Sequence, residues 1–113
     1  MQYDIQKILL NLKYCEKLDN ADFIISKKLD LPFTKVNFYF NSKKTTYKAI
    51  GCQYFLACCE LTAWFIESND NQNQIDYYLN LLNLPAIKQV YIIIFEDIIY
   101  EYKNFKKSIT KIN

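Results

Sequence analysis

Glu96, Asp97 and Glu101 are the closest this sequence comes to a catalytic set. Asp97 and Glu101 stand four apart, which places both carboxylates on one face of a helix. Such a pair can move protons or hold a divalent cation. No third ligand and no glycine-rich phosphate loop accompanies them, so the cluster reads as a solvated acidic face. The chain contains no His, which excludes histidine base catalysis and histidine metal ligation. Cys15, Cys52, Cys58 and Cys59 include no C-x-x-C pair, so a zinc site is not expected. Cys52, Cys58 and Cys59 lie in an apolar stretch, where reduced, buried thiols are the rule. Ser and Thr residues have no base to activate them. The expectation is a protein that is not an enzyme and uses no cofactor and no metal.

A different chemistry is concentrated between Ala21 and Lys48. Six Lys face two Asp there, a local excess of +4, although the 113-residue chain as a whole carries only +2. All 14 basic residues are Lys. Without Arg there is no bidentate fork for guanine or phosphate, and the net charge is too small for sequence-blind coating of nucleic acid. What remains is a local surface. Read as a helix, the segment turns Thr34, Lys35, Asn37, Phe38 and Asn41 outward, in position to meet base edges in a major groove. Thr34 or Phe38 would touch a thymine methyl, and Lys35 a guanine edge. Ser42 and Lys43, at the start of the next helix, suit a phosphate.

The elements that must position these side chains follow from composition and periodicity. Apolar residues make up 51% of the chain and aromatics 17%, enough for a packed core, and the length fits one domain, 1–113. One Gly and two Pro leave little material for tight hairpins, which favours helices. Ile5, Ile8, Leu9, Leu12 and Cys15 recur at helical spacing over 2–18. A second helix spans 21–29, with Ile25 and Leu29 inward. Asp30-Leu31-Pro32 breaks it, and a third helix runs to about Asn41 with Val36, Tyr39 and Phe40 inward. Val36 to Asn41 also alternates with period two, as a strand does, but the upstream breaker and spacing favour the helix. A long, nearly apolar helix over 45–68 is the expected centre of the fold, its polar stripe being Thr46, Gln53, Glu60 and Glu67. Ser68 to Gln74 reads as a loop, 75–83 as a fifth helix and 85–107 as a sixth. Val90–Phe95 paired with Ile98–Tyr102 is the strand alternative there. The fold class expected is therefore all-α. Residues 1–44 would hold a helix-turn-helix at 21–41, and residues 45–107 a helical core.

The run from Ile25-Ser26 through Asp30-Leu31-Pro32 and Val36-Asn37 to Tyr39-Phe40-Asn41-Ser42-Lys43 resembles the DNA-binding half of TetR-type repressors. Ile25-Ser26 stands at that family's Ile-Ala pair, Asp30-Leu31-Pro32 at its Gly-Val-Ser turn, and Tyr39 to Lys43 at its His-Phe-x-Ser-Lys close. Asp30 replaces the turn glycine and Asn37 a tyrosine, and the family's ligand-binding half is much larger than the residues that remain. The resemblance implies a small transcriptional regulator that binds double-stranded DNA as a homodimer. The other expectation is a non-enzymatic helical module that binds another protein. Ten Tyr residues, among them Tyr77, Tyr78, Tyr91, Tyr100 and Tyr102, offer material for a pairing surface. The polar start Met1-Gln2-Tyr3-Asp4 carries no signal-peptide pattern, and Gln53 and Glu60 interrupt the longest apolar run. A cytoplasmic protein without membrane association is expected.

Overall fold

The computed structural model describes residues 4–30, 33–68 and 74–112. Among these, four α-helices and one short 3-10 turn accompany a three-stranded antiparallel sheet. Helix α1 spans Ile5–Leu9, followed by strands β1 Phe23–Lys28, β2 Lys35–Phe40 and β3 Thr45–Ile50. Helices α2 Gln53–Ser68, α3 Ile75–Asn80 and α4 Val90–Ile112 complete the chain, with the 3-10 turn at Ala86–Lys88. The fold is mixed α/β, which overturns the all-α, six-helix expectation. The helix-turn-helix at 21–41 is replaced by the β1–β2 hairpin. Leu31 and Pro32 of the expected turn, and 69–73 of the expected loop, lie outside the described residues.

The alternation of Val36, Phe38 and Phe40 with Lys35, Asn37 and Tyr39 decides the matter. As a strand, β2 places all three of the first set on one face, and each is at most 2% exposed. As a helix, the same residues would leave Phe38 in water, forfeiting about 1.5–3 kcal/mol of burial. β1 pairs with β2 in the register Ile25↔Phe38, and β2 with β3 in the register Phe38↔Tyr47. Phe38 therefore sits at the centre of the sheet, its ring meeting Tyr47 and, edge-on, Phe95 of α4.

Thr45 to Ile50, the start of the expected fourth helix over 45–68, form β3 instead. Helix α2 begins only after Gly51. A Cβ at Gly51 would lie 2.5 Å from Cδ2 of Phe55, so a larger residue where the strand gives way to the helix would force the buried Phe55 ring to shift. From Phe55 to Ile66, α2 is buried on most sides, as its composition implied, and it forms the central helix. One hydrophobic core gathers Ile25, Val36, Phe38 and Phe40 from the sheet, Phe55, Cys59 and Phe65 from α2, Leu79 from α3, and Tyr91, Phe95 and Ile98 from α4. Phe23 at the start of β1 stacks on Phe105 of α4 with ring centroids 4.2 Å apart. Helix α4 thus runs across the inner face of the sheet.

The expected first helix over 2–18 is cut to one turn and a half. Asp4 caps it through the amide of Gln6. The chain then straightens into a strap that lies along β3, where Cys15 forms a parallel bridge with Tyr47.

Candidate interaction surface

The sheet covers the helices with one face and turns the other outward. Ile24, Ser26 and Lys28 of β1 point outward. So do Lys35, Asn37 and Tyr39 of β2, and Thr46, Lys48 and Ile50 of β3. Tyr39 and Thr46 are buried, whereas the other seven are exposed. Lys28 faces Lys35 directly across the β1–β2 pair; Lys48 faces Asn37 and is diagonal to Lys35, whose partner on β3 is Ile50. Like charges placed opposite one another repel. No carboxylate among the described residues pairs with Lys28, Lys35 or Lys48. Beside them the β1–β2 turn carries Phe33, 85% exposed and held at φ 56°. A bulky residue rarely adopts that left-handed backbone. With Ile50 it borders a recess of about 570 Å³ whose other walls include Lys28, Thr34 and Lys35.

The residues expected to contact DNA are dispersed by this geometry. Lys35 and Asn37 are exposed on the outer sheet face. Thr34 is buried where the turn enters β2, and Phe38 is wholly inside the core. Asn41 closes the β2–β3 turn, its Oδ1 accepting the amides of Lys43 and Lys44, both at 2.8 Å. Ser42 and Lys43 are exposed at the tip of that turn and stand at no helix N-terminus. No helix presents these seven side chains together, because Asn, Asp and Ser suit a hairpin turn as readily as a helix cap.

Lys27, next to Lys28 in sequence, points the other way. Its ammonium pairs with Asp97 at 2.6 Å and with Glu101. The hydrogen bonds that the ammonium donates, first to Asp97 and then to Glu101, raise the Lys27 pKa above the ordinary lysine value. The acidic cluster of the sequence is therefore a clamp between α4 and β1 in which Glu96 takes no part.

Glu60 was the residue whose role composition concealed. It lies in mid-α2, 7% exposed, and faces the strap. Its carboxylate accepts the amide of Lys13 at 2.7 Å, the amide of Tyr14 at 3.4 Å and the hydroxyl of Tyr47 at 3.0 Å. Burial first, and then the Glu60 charge, push the Tyr47 phenol well above its ordinary pKa. An acid in the middle of an otherwise apolar helix is the signal that pointed here, since a buried charge demands partners.

Cys52 precedes α2, and its Sγ lies 3.3 Å from Oη of Tyr91. Burial opposes ionisation, yet the Tyr91 hydroxyl, the amides of Phe55 and Tyr54 and the Lys88 charge together bring the Cys52 pKa below the usual thiol value. Burial pushes Cys58 and Cys59 up instead. Of the tyrosines expected to form a pairing surface, Tyr78 and Tyr91 are core residues and Tyr102 packs on Phe40. Tyr77 and Tyr100 remain exposed.

Among the described residues, no group of three or more Cys, Asp or Glu side chains could hold a metal ion, and no helix is long and apolar enough to cross a membrane. No protein-family model matches this chain, and neither does any curated protein or solved structure.

Proposed function

We propose that this chain is a non-enzymatic protein-binding module that docks an acidic partner protein on the outer face of its sheet. The observation that carries this reading is the cluster of Lys28, Lys35 and Lys48 on one sheet face. Lys28 lies directly opposite Lys35, Lys48 is diagonal to Lys35, none of the three pairs with a carboxylate among the described residues, and exposed Phe33 and Ile50 border them. Lys28 and Lys35, directly opposite one another, repel in the free protein, and an arriving carboxylate relieves that repulsion. The apolar rim adds contact area that charge alone does not supply.

A protein fits this face better than a nucleic acid. Base stacking needs flat rings laid open on the sheet, and Tyr39, the one aromatic residue on the outer side of the strands, is buried. No Arg is available for a phosphate fork.

The test is affinity capture from the source cells with the wild-type chain and with Lys28→Glu/Lys35→Glu/Lys48→Glu, with and without nuclease. A second triple reversal at Lys17, Lys103 and Lys107, all exposed, controls for net charge. The expected result is an acidic protein held by the wild type and by the control, resistant to nuclease and lost from the sheet-face variant. Capture of nucleic acid with a steep salt dependence, or protein capture equally weakened by both triple variants, overturns the proposal.

A further inference from the structure

The two edges of the sheet are finished differently. In an antiparallel pair, alternate residues turn their amide and carbonyl groups toward one neighbour and then the other. The amide of Leu29 donates to the carbonyl of Thr34, and the amide of Asn41 to the carbonyl of Lys44. These two bonds fix the phase throughout: Phe23, Ile25 and Lys27 bond to β2, whereas Ile24, Ser26 and Lys28 turn their backbone groups away from it. On the far side, Thr45, Tyr47 and Ala49 are the outward residues of β3.

Edge β3 is largely closed. The amide of Tyr47 donates to the carbonyl of Tyr14 at 2.9 Å, and the amide of Thr45 to the Glu67 carboxylate at 3.2 Å. Edge β1 is open: among the described residues, nothing accepts from the outward amides of Ile24, Ser26 and Lys28. Their side chains are exposed as well. A six-residue strand with a free ladder is a ready template for a further strand.

We infer that β1 is an acceptor edge, taking as a fourth strand an extended segment of a partner protein that alternates acidic and apolar side chains. This rests on the proposed function and specifies the form of its partner. The alternation follows from the two faces. On the outer side the incoming strand lies beside Ile24, Ser26 and Lys28, so a carboxylate is matched opposite Lys28, with Lys35 on the next strand adding to the same positive field. On the inner side it lies beside Phe23, Ile25 and Lys27; Lys27 is already paired with Asp97 and Glu101, so the half-buried Phe23–Phe105 stack is the surface left for an apolar side chain. A second copy of this chain would bring its own Lys28 to the junction and add a like charge, since Lys27 of each copy is already paired with Asp97 and Glu101.

The test uses the full chain and a peptide of about ten residues, the upper length of an ordinary strand, alternating Glu with Val. Its controls are the same peptide N-methylated at alternate residues, in both phases, which keeps the charge and removes the ladder. Binding of the Glu-Val peptide is expected to slow exchange of the Ile24, Ser26 and Lys28 amides. N-methylation in the productive phase weakens binding by about tenfold, equivalent to losing one or two backbone hydrogen bonds. Ser26→Pro is expected to weaken it similarly, because Pro is tolerated at an edge position whose N–H is unused; circular dichroism checks that this variant is folded. A peptide that does not bind, that binds without slowing those three amides, or that is indifferent to N-methylation overturns strand addition. In each of those cases the sheet-face reading still stands if captured protein depends on Lys28, Lys35 and Lys48; capture indifferent to them overturns that reading as well.

Discussion

Removing the Glu60 carboxylate tests how the strap is held. It is buried in α2 and accepts from two main-chain amides of the strap and from the Tyr47 hydroxyl. A hydrogen bond to a charged group contributes about 1.5–3 kcal/mol. The amide of Tyr14, at 3.4 Å, adds little, so two good bonds carry the effect. Glu60→Gln keeps the shape and one carbonyl oxygen but turns an NH2 toward a donor. It is expected to cost about 2–3 kcal/mol. Tyr47→Phe keeps the ring in the core and removes one bond, costing about 1.5 kcal/mol. Because the two changes delete the same contact, the double variant should fall short of the sum by about 1 kcal/mol. Urea denaturation of the four proteins measures the cycle. A parallel thermal series should show Glu60→Gln melting about 8–12 °C lower, at about 4 °C per kcal/mol for a chain of this size. Hydrogen exchange adds a local readout: the Lys13 and Tyr14 amides should lose protection before those of α4. Additive losses, or a Glu60→Gln cost below about 0.5 kcal/mol, would refute the claim that this carboxylate holds the strap.

Two further outcomes follow from the titrating groups. Cys52 should be alkylated by iodoacetamide well ahead of Cys58 and Cys59, and Tyr91→Phe should move the pH midpoint of that reaction upward; equal rates at Cys52 and Cys58 in the folded protein would contradict the assigned environments. Alkali should unfold the chain cooperatively. Tyr47, Tyr91, Cys58 and Cys59 hold their protons in the fold above their ordinary pKa values. The unfolded chain therefore ionises first, and stability falls as pH rises past the unfolded thiol and phenol values. Each group contributes a slope of up to about 1.4 kcal/mol per pH unit, and denaturation midpoints that stay flat from about pH 8 to 11 would exclude it.

The helical half of the fold was legible in the sequence and the sheet was not. The apolar run ending near Ser68 announced a central helix, and the spacing of Tyr91, Ile94 and Ile98 announced α4. Both signals are long, and a long periodic signal outweighs local noise. Strands β1 to β3 are six residues each, too short for that. Within β2 the helical and alternating patterns both accommodate Val36 and Phe40, and the placements of Phe38 and Tyr39 separate them. Gly51, the single glycine, was the missed boundary. A helix drawn across it must accept about 0.5–1 kcal/mol of backbone cost, whereas a strand ending there uses the space a side chain would occupy. The candidate surface was half visible. The local excess of Lys was plain, but which lysines share a face depends on register, and register flips every side chain when helix becomes strand. Lys27 and Lys28 show this: neighbours in sequence, they end on opposite sides of the sheet.

The strap along β3 limits how large any assembly can become. With Tyr14 and Glu67 occupying two of the three outward donors on that side, strands can join only at β1. Copies of this chain are thereby kept from stacking β1 on β3 head to tail, the repeating contact from which an open fibre would grow.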